Sequence, residues 1–317
     1  MRGSLWLAWR QQRVLVLCAV LLLAVAAATA VWSRAQMLSG LDSGLFDHCG
    51  RGPLFCTGSD GTPLRLDVGP LQFLGGLQIA LPTLLGMFWG APLLGRDREL
   101  GTSRLVLSQG VGRAQWFVSR FALAAVCTVA LSGLLALVFA WWWQPAADRS
   151  YGVFWYDTTA LSGSGPRTLA ASLFGLAAGT LAGLLMRRVM SGMALTLAVT
   201  AVVTVLLEWT HRARLFVPPH RYVSRGTLPK PPMDEKWSTG HYGLLTPSGH
   251  RADVLACPFP SGRELRACMA HHGYVARFYE ANPVGDYWRF QWADTAVLGG
   301  LAVLLVVLTA LLLRRRV

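Results

Sequence analysis

Apolar residues in this chain gather into six long runs separated by shorter polar and charged stretches. The runs are Val14–Trp32, Leu71–Leu94, Phe117–Trp143, Thr168–Met186, Met190–Leu207 and Thr295–Leu313. Each is close to the ~20 residues a helix needs to cross a hydrocarbon core ~30 Å thick. The pattern predicts an all-α polytopic membrane protein with six transmembrane helices. Arg120, Glu208 and Asp294 fall at the ends of runs. There, snorkelling and partial hydration lower the ~2.5–3.5 kcal/mol assigned to a charge at the bilayer centre. Electrically quiet spans are expected, with no buried carboxylate or histidine of the kind that proton-coupled transporters use.

The polar stretches divide the chain. Residues 1–13 form a basic, aromatic leader, 14–208 hold spans one to five, 209–293 form a long loop, and 294–317 hold the sixth span and a basic tail. In the leader, Leu5, Trp6 and Trp9 gather on one helical face, with Arg2, Arg10 and Arg13 able to reach phosphates. A helix lying in the interface and a simple flank of the first span both fit. Ala28-Thr29-Ala30 resembles a signal-peptide cleavage site, but 19 apolar residues exceed the ~7–15 of a secretory h-region, so an uncleaved span is expected.

Composition narrows the class. Of 317 residues, 53% are hydrophobic and only 14% charged, which excludes a disordered chain and disfavours a water-soluble one. The net charge of +13 does not point to nucleic acid, because the basic residues sit beside apolar runs without alternating with aromatics along a binding face. They report orientation instead. With six crossings, the leader, 96–115, 187–189 and the tail share one side and carry twelve Arg, against five in 34–70 and 144–167. The positive-inside rule puts the first group, and so both termini, in the cytoplasm; the long 209–293 segment is outside the count.

Cysteines agree with that orientation, since Cys49, Cys56, Cys257 and Cys268 fall in the outer segments and none falls in the cytoplasmic ones. Pairing is expected there, with three connectivities open: the local Cys49–Cys56 with Cys257–Cys268, or either of two cross-links. Gly175, Gly179 and Gly183 recur every fourth residue in the fourth run, and Gly86 and Gly90 do so in the second. Such spacing lets helix backbones approach closely, first within one chain and secondly across a dimer face. Pro82 and Pro92 are positioned to kink the second span.

The segment 96–115 leaves the second span as a dense alternation of charge, Arg96-Asp97-Arg98-Glu99. It turns at Gly101 and continues as an apolar stretch, which Thr102 or Ser103 could cap as a short helix, until Gly110 and Gly112 break it. A docking peg for a soluble partner and a solvated hairpin that only sets topology both remain open. Phe88-Trp89-Gly90-Ala91-Pro92-Leu93-Leu94-Gly95-Arg96-Asp97-Arg98-Glu99-Leu100-Gly101-Thr102, followed by Ser108-Gln109-Gly110-Val111-Gly112-Arg113-Ala114-Gln115-Trp116, resembles the second-span exit and intracellular loop of ABC-2-type transporter permeases, especially actinobacterial ones. The opening Leu5–Arg13 and the six-span plan resemble theirs too. Asp97 stands where related sequences often carry glutamate.

The resemblance implies a type V exporter-like permease in a bacterial cell membrane, assembled with a second permease subunit as a homo- or heterodimer and with a separate ATP-binding-cassette ATPase. Arg96, Asp97, Arg98, Glu99, Gly101, Thr102, Arg104 and Arg113 would form the loop that couples to the ATPase. The chain carries no G-x-x-x-x-G-K-[ST] phosphate loop, and its two lysines, Lys230 and Lys236, lie in the outer segment, so hydrolysis is expected on another polypeptide. No catalytic residue, cofactor or metal site is expected. His241, His250, His271 and His272 lack zinc-ligand spacing, and the adjacent pair would point to different sides of a regular element. Gly163-Ser164-Gly165 lacks the full nucleophile elbow.

The 209–293 segment, rich in proline and aromatics, is expected to be a small disulfide-tied cap with a helix over Arg263–Glu280. A sensor, immunity protein or enzyme acting through this cap is the alternative reading. Gln72, Gln78, Thr128, Ser132, Thr180, Thr196, Thr200 and Thr204 could line a substrate path or equally bridge helices, so none is assigned to a site.

Overall fold

A computed structural model of the chain describes residues 2–42, 56–57, 63–64, 69–100, 113–147, 155–186, 188–212, 217–224, 237–257 and 262–316. Six helices among them are long and apolar enough to cross a membrane. Helix α1 (Arg2–Asp42) runs without a break, so the leader continues into the first span. The second span is composite: α2 (Gly69–Leu85), a π-helical turn over Gly86–Gly90, and α3 (Ala91–Glu99). Pro82 lies inside α2 and Pro92 in the first turn of α3. Proline removes an intrahelical bond, and a π turn accommodates the resulting mismatch. The remaining spans are α4 (Arg113–Ala147), α6 (Pro166–Leu185), α7 (Val189–Arg212) and α9 (Tyr287–Arg316), with the short α5 (Thr158–Gly163) between α4 and α6.

Helix α6 is the axis of the bundle. Its span is 78% buried, against 11% for the first span and 17% for the fifth. Lipid is as apolar as leucine, so hydrophobicity cannot drive helices together inside it; close van der Waals packing must. The period-four glycines of α6 provide that closeness. A Cβ at Gly175 would collide with the Pro82 carbonyl, one at Gly179 with the Gly86 carbonyl, and one at Gly183 with the Ala91 carbonyl. Gly86 and Gly90 face the α6 backbone in return. All five glycines therefore serve packing within the chain, between the second and fourth spans. Helix α1 instead packs along α4, with Ala30, Met37, Leu71, Phe139 and Trp142 filling the space between them and α2.

The described part of the long loop, called the cap below, is built on a small sheet. Strands β3 (His220–Ser224), β4 (Trp237–Leu245), β5 (Arg251–Asp253) and β6 (Ala276–Asn282) form an antiparallel sheet in the order β3-β6-β4-β5. Two further strands, β1 (Cys56–Thr57) and β2 (Pro63–Leu64), pair between the first and second spans. The expected helix over Arg263–Glu280 is corrected: α8 (Gly262–His271) ends at a turn with Gly273 at φ +71°, and Ala276–Asn282 is a central strand. Six of its seven residues are buried, so it lacks the alternation that identifies a half-exposed strand. A disulfide joins Cys257 to Cys268 and ties α8 to the sheet over buried Leu244 and Leu265. Cys49 lies outside the described residues, as does the Cys56 side chain. His271 and His272 do not point apart, because the helix ends between them; their rings meet edge to face with centroids 5.0 Å apart.

The sheet passes directly into the sixth span. Asp286 accepts from Asn282 Nδ2 at 3.0 Å and from Arg289 Nη1 at 3.1 Å, and lies 3.4 Å from His220 Nε2. Trp209, Trp288 and Trp292 are exposed on α7 and α9 near this junction, as expected of an aromatic belt at the bilayer surface.

Candidate functional site

Polar groups collect at both ends of the bundle. At the end that holds the chain termini, the last turn of α3 carries Arg96 and Arg98, whose charge complements the negative end of the helix dipole. Asp97 pairs with Arg120 of α4. The Arg120 guanidinium also lies 4.6 Å from the centroid of the Trp116 ring. Beside the pair, Gln12 of α1 donates to the Arg120 carbonyl at 3.4 Å and accepts from Trp89 Nε1 at 3.1 Å. Spans one, two and three are thereby linked.

Glu99 reaches the other way. Its Oε2 accepts from the backbone N–H of Val189 at 3.0 Å, so the last residue of α3 caps the first turn of α7. Helix N-termini leave N–H groups without intrahelical partners and favour a negative charge. Below this contact, Gly95 lies against Gly183 and Val189, and Gly192 lies against Gly183, so α3, α6 and α7 meet nearly backbone to backbone. The structure thus brings Asp97 and Glu99 into two separate inter-span contacts. Gly101, Thr102 and Arg104, with the short helix expected after them, lie outside the described residues, as does the Arg113 side chain; the Arg113 backbone opens α4.

At the cap end, the expectation of quiet spans is corrected. Arg167, in the first turn of α6, pairs through Nε with the Asp294 carboxylate of α9 at 2.7 Å, donates from Nη1 to Ser162, and has its Nη2 3.9 Å from Glu208 of α7. Asp294 is only 1% exposed. It does not snorkel, because its helix begins at Tyr287 and buries it against a guanidinium instead. Gln291, one turn earlier, accepts from the Arg167 N–H at 3.2 Å and donates to the Leu161 carbonyl at 2.9 Å. Tyr287 shares a hydrogen bond with Ser164 at 2.8 Å. Gly165, at φ +77° and against the Gln291 amide, permits this approach. Nearby, burial and then Asp157 push the Tyr156 phenol up to about 12, so it stays a neutral hydroxyl.

Between this cluster and the bundle centre lies a cavity of ≈ 40 Å³, walled by Gln78, Arg167, Thr168, Thr200, Thr204 and apolar side chains. Of the hydroxyls and amides left unassigned by the sequence, Gln78, Thr200 and Thr204 line it. Thr180 and Thr196 bond to their own helix carbonyls at 2.7 and 2.8 Å. Among the described residues, no group of three or more His, Cys, Asp and Glu is arranged around a metal position.

A six-span helical bundle with period-four glycine packing and a charged exit from its second span defines a multi-pass membrane protein. The family described as ABC-2 membrane transporter related matches residues 20–212, most of the five-span core, and the chain belongs to it. No curated protein and no solved structure matches the chain.

Proposed function

We propose that this chain is the permease subunit of an ATP-driven exporter, working as a dimer with a second permease and with a separate ATP-binding-cassette ATPase that grips its 96–115 loop. The cargo is drug-, lipid- or peptide-like and leaves by alternating access, with both chain termini in the cytoplasm. Family membership and the absence of a phosphate loop from the sequence support this division of labour.

The observation that carries the reading is the Glu99–Val189 contact at 3.0 Å, set beside the Asp97–Arg120 pair. Whatever displaces the loop displaces the end of α3. Asp97 transmits that motion to α4, and Glu99, with the Gly95–Gly183–Gly192 packing behind it, transmits it to α7. The Glu99 contact alone is worth only ~0.3–1 kcal/mol at an exposed helix terminus, so it acts as a guide for a packed joint and not as a lock. Co-purification from membranes tests the proposal. Wild-type chain should bring an ATPase subunit with it, and Glu99→Arg should lose that subunit and transport together. Undiminished association and transport in Glu99→Arg would count against the loop's coupling role.

A further inference from the structure

Gln78 of α2 stands between two cavities. The smaller, ≈ 10 Å³, has Gln78 on one side and is otherwise walled by apolar side chains, Phe139 among them. The larger, ≈ 40 Å³, lies between α2, α6, α7 and α9 and mixes Ser162, Arg167, Thr168, Thr200 and Thr204 with apolar walls that include Phe174. Gln78 is 5% exposed, and its Oε1 is buried without a hydrogen-bond partner among the described residues. Buried polar atoms of folded proteins are almost always paired, with protein or with ordered water. This oxygen therefore points to a donor that its protein neighbours do not supply.

Size and chemistry decide between the two cavities. A water needs a cavity of at least ~10–15 Å³ and two to four polar partners. The smaller cavity is at the lower limit and offers one polar side chain, so it stays dry. The larger has room for about one or two waters and offers partners of both kinds. A guanidinium carries five N–H groups. Asp294 takes that of Arg167 Nε, Ser162 takes one from Nη1, and Glu208 faces Nη2, so protons are left over. The threonines provide acceptors. Thr168, Thr200 and Thr204 donate to the Ser162, Thr196 and Thr200 carbonyls at 2.7, 2.9 and 2.9 Å, which leaves lone pairs on their own hydroxyl oxygens. Thr200 uses one to accept from the Thr83 hydroxyl at 2.9 Å.

We infer that the larger cavity is a hydration site, whose one or two bound waters bridge the Gln78 amide of the second span to the Arg167 guanidinium of the fourth. Water both donates and accepts, so a single small molecule answers both kinds of wall group, and a bridge of this sort is nearly as favourable in enthalpy as a direct hydrogen bond. The Arg167–Glu208–Asp294 cluster, which gathers α6, α7 and α9, reaches α2 through it. The inference concerns the packing of the spans and does not rest on the exporter reading.

The test is X-ray hydroxyl-radical labelling of the full-length chain in phosphatidylcholine nanodiscs, read residue by residue by mass spectrometry. Radicals formed from a bound water oxidise the side chains beside it even where bulk solvent does not reach. Three buried phenylalanines of the same intrinsic reactivity are the reporters: Phe174 at the larger cavity, 4% exposed, Phe139 at the smaller, 2% exposed, and Phe117 in an apolar cluster, 3% exposed. Phe174 is expected to label several-fold faster than the other two, and Gln78→Met to slow Phe174 several-fold while leaving Phe117 unchanged. Labelling of Phe174 no faster than that of Phe117 would show the cavity dry or filled by an acyl tail, and would overturn the inference. Fast labelling of Phe139 in place of Phe174 would overturn it by putting the water in the smaller cavity. An unchanged Phe174 rate in folded Gln78→Met would contradict the bridge, and the wild-type comparison decides the matter should that variant not fold.

Discussion

The two ends of the bundle use the same chemistry for different ends. At the terminal end, Asp97 is 17% exposed and pairs one to one with Arg120, in a joint that also draws in Gln12, Trp89 and Trp116. At the cap end, Asp294 is 1% exposed and shares Arg167 with Glu208, so one guanidinium serves two carboxylates. A balanced pair fixes helices to one another. A shared guanidinium draws three helices to one point, since Arg167, Glu208 and Asp294 come from α6, α7 and α9. The first arrangement joins the second and third spans, and the second gathers the fourth, fifth and sixth.

The comparison is most exposed to mutation at its buried carboxylates. Removing one partner of a buried pair strands the other charge, so Asp294→Ala should lower stability in detergent micelles by ~3–5 kcal/mol. Asp97→Ala should lower it by only ~1–3 kcal/mol, because water reaches that end. Equal losses in the two variants would erase the distinction between the ends. Next in size, Gly179→Val should separate the second and fourth spans and reduce stability by ~1–3 kcal/mol, since the added atoms meet the Gly86 carbonyl and not a yielding side chain. Thermal unfolding of that variant at wild-type temperature would rule out the packing described for α6.

Opening the Cys257–Cys268 disulfide by a double change to serine should loosen the cap by ~2–3 kcal/mol, read as faster amide exchange over 262–271 with the spans unaffected. The smallest effect falls on the Thr83–Thr200 hydrogen bond between the second and fifth spans, where a double-mutant cycle to valine should give ~0.6 kcal/mol of coupling. A coupling near 2 kcal/mol would show the cavity wall to be far stiffer than its hydroxyls imply.

What the chain discloses by pattern is the part that depends on local composition. Run length gave six spans, and the spacing of Gly175, Gly179 and Gly183 announced a close helix contact whose partner proved to be Gly86 and its neighbours. The charged exit Arg96–Glu99 was legible too, but not its contacts, because Val189 lies 90 residues from Glu99 and no periodicity joins them. Arg120 and Asp294 were misjudged for a physical reason. A span bounded by its apolar residues seems to end at its first charge, whereas α4 begins at Arg113 and α9 at Tyr287, and both bury that charge against an opposite one. Strand β6 was misjudged as helix because its partners β3 and β4 come from earlier in the chain, and burial on both faces removes the period-two signal.

The central claim is that motion of the second-span exit reaches the fifth span through Glu99. Amide hydrogen exchange over Val189–Gly192, measured on the complex of this chain with its ATPase with and without ATP, tests it most directly. The account predicts that nucleotide changes protection of this first turn in the wild type, and that in Glu99→Ala the turn exchanges faster and no longer responds, with the ATPase still bound. Protection indifferent to nucleotide in the wild type, or an identical response in Glu99→Ala, would contradict it.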